Sequence, residues 1–201
     1  MTRGRQFRKS RQFEIKPKFL IVGDGKNEEN YFDGLTCGNP DILIKAVGLG
    51  KTGIRVIITK TWSMMKDYEI DPRHGDRVAI VTDLDLRYTP EQVDDMKCEC
   101  ERLGIELYVS NPCFEVWLLE HFIEFRKPSN PKDLIPCMNE VLGKRYDKAE
   151  LLNWDRELVS RALTNAERLF GKDCDVVWCA EHNPSTNVHV LVKDLIDDRC
   201  V

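Results

Sequence analysis

Five short apolar runs constrain the fold more than anything else in this chain: "KFLIVGD" (17–24 with Pro17 leading), "DILIKAV" (41–47), "DRVAIVTDLD" (76–85), "IELYVSN" (105–111) and "DVVWCA" (175–180). Each has strand length, is rich in β-branched residues and runs apolar without alternation, as strands buried on both faces do. Between them lie stretches of helical period. "EENYFDGL" follows the first run and ends at Gly34, and "IRVIITKTWSMMKDY" follows the second. Pro90 opens an amphipathic helix through Leu103 that Gly104 stops, and "PCFEVWLLEHFIEF" reads as a long buried helix. In that helix Asn111 is the expected cap, with Pro112 in the first turn. Helices are also expected at "RELVSRALTNAERLF" (156–170) and "STNVHVLVKDLIDD" (185–198). Strands alternating with helices imply an α/β fold, a mostly parallel sheet covered on both faces.

The chain has 201 residues and 42% hydrophobic content, enough for one substantial core and a small elaboration. Residues 127–154, broken by Pro128, Pro131 and Pro136, read as a helical insertion. No apolar run approaches the roughly 20 residues of a membrane span, and no signal-peptide pattern opens the chain. A cytoplasmic protein is the expectation, with no membrane partner. Eight cysteines are scattered without a CxxC pair, so they read as reduced, mostly buried thiols.

Charge is unevenly spread. The first 18 residues hold seven basic residues against the single acid Glu14, a net of +6, and the chain's total of −4 leaves −10 on the remainder. Residues 1–16 therefore read as a basic N-terminal arm ahead of a single domain at 17–201. Arg3, Arg5, Arg8, Lys9 and Arg11 are its candidate phosphate contacts; a solvated tail is the plainer alternative.

In a doubly wound sheet, ligands meet the carboxyl ends of the strands. The first run ends in Asp24, with Glu28 one helical turn on. The third ends in Asp83 and Asp85, whose spacing points both carboxylates to one face, and Glu115 follows the fourth. Singly, each acid suits a turn or a helix N-terminus. Gathered at one sheet edge without cysteine or histidine, Asp24, Glu28, Asp83 and Asp85 suit Mg²⁺ or Mn²⁺ better than zinc, with Glu115 as a further candidate. "VGLGKTG" (47–53) fails the P-loop pattern because Lys45 stands where its first glycine belongs. His182 and His189 carry no case for ligation.

Together, "LIVGDGKNEENYF", "VAIVTDLD", "SNPCFEVWLLEHF" and "NPSTNVHVLV" resemble the RloB-like family, Toprim-fold proteins found beside restriction and abortive-infection genes. The resemblance runs from about residue 17 to 197. It implies a Toprim-like domain, Mg²⁺-dependent endonuclease chemistry on RNA or DNA in anti-phage defence, and Asp24, Glu28, Asp83, Asp85 and Glu115 as the catalytic set. An ABC-type ATPase partner is also implied, and a homo-oligomer is compatible with it. Where family members usually carry Glu-Gly, this chain has Asp24-Gly25. That shorter carboxylate keeps a second expectation open, a weakly active or non-catalytic regulatory or nucleic-acid-binding module. Nucleotidyl transfer is weaker still, since no template-binding segment is visible.

Overall fold

A five-stranded sheet of order β2-β1-β3-β4-β5 forms the centre of the computed structural model, which describes residues 17–36, 42–46, 54–85, 88–172 and 182–197. The strands β1 (Phe19–Gly23), β2 (Ile42–Ala46), β3 (Arg77–Asp83) and β4 (Glu106–Asn111) are parallel. The two-residue β5 (Ser185–Thr186) runs antiparallel to β4, pairing Ser110 with Thr186 and Asn111 with Ser185. The chain steps from β1 out to β2 on one side, then returns to β3 on the other. That reversal opens a crevice at the carboxyl ends of β1 and β3, where sheets of this Rossmann-like kind place ligands.

Alternation along each strand feeds two cores. Phe19, Ile21, Ala79, Val81 and Tyr108 face one side, against α1 (Lys26–Thr36), α4 (Glu115–Glu120), α5 (Pro131–Leu142), α6 (Arg156–Phe170) and α7 (Val188–Asp197). Leu20, Val22, Val78, Ile80 and Val109 face the other, against Ile57 and Met65 of α2 (Ile54–Asp67) and Val93, Met96 and Cys100 of α3 (Pro90–Leu103). The sheet is thus covered on both faces, as the continuous apolar runs require. Among the described residues no helix is long and apolar enough to cross a membrane.

Several local expectations are corrected. Helix α1 does not stop at Gly34 but runs to Thr36. Gly34 matters instead for close packing, because a Cβ there would stand 3.4 Å from Cδ1 of Trp154. The long helix expected after Asn111 shrinks to the six residues of α4. Asn111 is the last residue of β4 rather than a cap, and its Nδ2 donates to the His182 carbonyl. Pro112 lies outside the helix, which begins only at Glu115, and the Asn111–Pro112 peptide is cis. Ser185 and Thr186 are strand, so the last helix opens only at Val188. By contrast α3 begins at Pro90 and ends at Leu103 as expected, with Thr89 and Gln92 forming a reciprocal cap and Gly104 left-handed at φ 70°. The expected strand 175–180, the loop 47–53 and the basic arm 1–16 lie outside the described residues.

Candidate metal and catalytic site

Gly23 ends β1 for a steric reason. A Cβ there would lie 2.6 Å from the Cβ of Glu28, so only glycine lets the first turn of α1 fold back over the strand end. That turn presents Glu28, whose Oε2 accepts from the Gly25 amide at 2.8 Å. Asp24, between the two glycines, is tied to the neighbouring strand by its amide, which donates to the Val81 carbonyl at 3.0 Å.

The end of β3 is laced to the turn after β4. Leu84 and Asp85 donate their amides to the carbonyls of Ser110 and Pro112, at 3.0 and 2.8 Å. Asp85 takes the left-handed conformation, φ 50°, which aspartate tolerates better than most residues. Asp83 Oδ1 accepts from the Phe114 amide at 2.8 Å, so a carboxylate of one strand end opens the helix that follows the next.

Glu115, fully buried at the start of α4, is the most heavily held of the acids. Its Oε1 lies 2.7 Å from the Lys148 ammonium and accepts from Asn27 Nδ2 at 3.2 Å. The Tyr146 hydroxyl sits 3.3 Å from the same oxygen and 2.9 Å from Asn27 Oδ1. Its other oxygen, Oε2, is buried without a hydrogen-bond partner.

The five sequence-predicted acids meet at this edge, and their charges act on one another. Burial lifts the Glu28 carboxyl to about 7, and the charges of Asp24 and Glu115 push it the same way. Asp83 is held well above the usual carboxylate range by desolvation first, then by Glu28, Glu115, Asp24 and Asp85. By surface area Asp83 is only part-buried, yet protein atoms crowd it on all sides. Like charges gathered in this way are costly unless protons or a cation offset them.

No three His, Cys, Asp or Glu side chains among the described residues stand in an arrangement that holds a metal ion. One oxygen each of Glu28, Asp83 and Glu115 is taken up by protein donors. In kind, though, the donor set fits a hard divalent cation: oxygens alone, one of them, Oε2 of Glu115, buried without a partner.

Asn27, Tyr146 and Lys148 are the site residues that sequence reasoning missed. Asn27 stood in view beside Glu28, but nothing in its spacing points toward residue 115. Tyr146 and Lys148 come from the proline-broken insertion, where no period or motif ties them to the sheet edge. Tyr31 and Phe32 of the "NYF" stretch serve packing: Tyr31 rings meet Phe32, Phe114, Trp117 and Trp154 at 5.1 to 6.1 Å. The Tyr31 hydroxyl lies 3.2 Å from Nε2 of buried His121, whose pKa burial lowers to about 3.

No curated protein matches the chain, and no solved structure does. A family model described as RloB-like protein matches residues 19–195, which takes in both strand ends, α4 and the insertion. The chain belongs to the RloB-like family.

Proposed function

We propose that this protein is a Mg²⁺-dependent endonuclease of Toprim type that hydrolyses phosphodiester bonds in RNA or DNA. The observation that carries the reading is the convergence of five carboxylates from three separate strand ends on the crevice where the sheet reverses direction. Asp24, Glu28, Asp83 and Asp85 would hold the cation, Mg²⁺ or Mn²⁺. When bound, it would lower the pKa of a water and neutralise charge on the phosphate.

The chain's own groups have separable tasks. Glu28, lifted to about 7 by burial and by its acidic neighbours, would be drawn to its ionised form by a bound cation, which offsets the same crowding of charge. Glu115 anchors Lys148 at 2.7 Å, and the ammonium gives a polyanionic substrate one positive group beside the acids. Asn27 and Tyr146 fix the Glu115 carboxylate that does the anchoring. The basic arm, with Arg3, Arg5, Arg8, Lys9 and Arg11, would hold the nucleic-acid backbone. A role in anti-phage defence, an ABC-type ATPase partner, self-association and a cytoplasmic location follow as proposals from the family.

A second reading, a regulatory module with little or no cleavage, is favoured by Asp24, one methylene shorter than the glutamate usual in the family. One experiment separates the two. Purified chain is incubated with tRNA, single-stranded RNA, plasmid and single-stranded DNA in Mg²⁺, Mn²⁺ or EDTA, beside Asp83→Asn/Asp85→Asn and Asp24→Glu variants. Cation-dependent cleavage that the double variant loses by at least a hundredfold supports the nuclease. Cleavage by Asp24→Glu alone supports a site tuned down in this chain. If nothing is cut by either, or the double variant cuts as well as the parent, the nuclease reading fails.

A further inference from the structure

At the opposite edge of the sheet, the amino ends of β3 and β4, lies a cleft of about 470 Å³. A seven-residue strand separates it from the acids, roughly 20 Å at 3.3 Å per residue, so it cannot belong to the same site. Its floor is apolar, with Met65 from α2 and Leu103 from the end of α3. The floor is closed by a tight approach: a Cβ on left-handed Gly104 would meet Pro72 Cβ at 3.1 Å.

Its rim is aromatic and cationic. Trp62 is 40% exposed, whereas Trp117 and Trp154 are buried. Lys66 lies one helical turn on and holds its ammonium 5.0 Å from the Trp62 ring centre. Arg73 is fixed across the cleft by a forked pair with Asp71, Nε to Oδ1 at 2.9 Å and Nη2 to Oδ2 at 2.7 Å, while its side chain stays 87% exposed. Arg102 adds a third cation, with only a 3.9 Å contact to Glu99. Asp71 offsets Arg73 and Glu99 partly offsets Arg102 from outside the cleft, so the lining itself holds three cations against one carboxylate on a domain whose overall balance is strongly acidic.

We propose that this cleft binds a nucleotide unit, with the base stacked on Trp62 and the phosphate between Arg73, Arg102 and Lys66. An exposed indole ringed by cations suits a flat base joined to an anion, and the volume suits a ligand of that size. A peptide carboxylate would use the cations but leave the indole idle. The unit is either a free mononucleotide or one residue of a single strand, and both have the same base-and-phosphate chemistry. The inference does not depend on the acid site.

The test uses full-length chain in EDTA, so that no cation bridges a ligand to the acids. Binding of labelled adenosine monophosphate, cytidine monophosphate and a five-residue oligodeoxyadenylate is measured by equilibrium dialysis, with tryptophan quenching followed in parallel. Saturable binding is expected that Trp62→Leu weakens roughly ten- to a hundredfold, since one stacked base is worth about 1–3 kcal/mol. Arg102→Glu should weaken it and flatten its salt dependence. Because Trp62 and Arg102 are exposed, circular dichroism should show both variants folded. Asp83→Asn/Asp85→Asn should bind like the parent, which distinguishes this cleft from the acid site. Mononucleotide binding identifies a free nucleotide as the ligand, and oligonucleotide binding alone identifies a strand. No saturable binding of any probe, or binding that survives both cleft variants, overturns the proposal.

Discussion

The acid cluster at one edge of the sheet and the cleft at the other handle charge in opposite ways. At the carboxyl edge the ionisable groups are sunk into the protein and interlocked across elements: Asp83 opens α4, Glu28 folds back over β1, and Glu115 gathers donors from residues 27, 146 and 148. In the cleft at the amino edge the charges stand in solvent and pair locally, Arg73 with Asp71 two residues away and Lys66 over Trp62 four residues away, apart from the half-buried Arg77–Glu106–Asp194 group nearby. Solvent screens the second set and leaves the first unscreened. Stability should therefore respond sharply to change at the acid cluster and hardly to change in the cleft.

The largest expected effect is on pH dependence in EDTA. Glu28 ionises near its ordinary 4.5 when unfolded but holds its proton to about 7 when folded. The stability it contributes is fully present below pH 4.5 and is lost as pH rises through 7, about 3 kcal/mol for a shift of that size. Urea melts at pH 5 and pH 8 should show a fall in the parent that Glu28→Gln reduces, with Asp83, raised chiefly by its own burial, carrying the part that remains. Equal slopes in the two would break the comparison. Next, Gly23→Ala should cost about 2 kcal/mol by overpacking against Glu28, read as a lower urea midpoint with an unchanged slope. Lys148→Met should cost about 1 kcal/mol, because Glu115 keeps its Asn27 and Tyr146 contacts and the ammonium is half exposed. Millimolar Mn²⁺ should restore more of that loss than it adds to the parent, measured as a shift in Tm. Smallest of all, Trp62→Leu and Arg102→Glu should move stability by less than about 0.5 kcal/mol.

The sequence made the edges of the sheet legible because buried strands leave continuous apolar runs and strand-end acids follow them directly. Helix α3 was legible to the residue, since its Thr89-Pro90 start and Gly104 stop are written in local chemistry. Helix α4 was not. Its apolar length promised fourteen residues, but Phe114 gives its amide to Asp83, and the His121 ring takes up the carbonyls of Trp117 and Leu118 near the helix end. The first is a tertiary contact that no local pattern announces, and the second needs the ring turned back onto its own helix, which sequence alone does not show. Nor was the loop that carries Tyr146 and Lys148, whose place depends on how α5 packs against α4. The acids themselves could be found by position, but the partners that hold them could not.

Asn187 has a consequence for association. Its amide nitrogen donates to the Val109 carbonyl, its Oδ1 accepts from the Val109 amide at 2.7 Å, and its Nδ2 reaches the Leu107 carbonyl. One side chain thus does for the outer edge of β4 what a further strand would do, and two-residue β5 covers the rest. Among the described residues, Asn187 thus takes up the Val109 amide and the Val109 and Leu107 carbonyls that an incoming extended chain would otherwise pair with. At Leu107 and Val109, β4 resists the edge-to-edge growth that leads to aggregates.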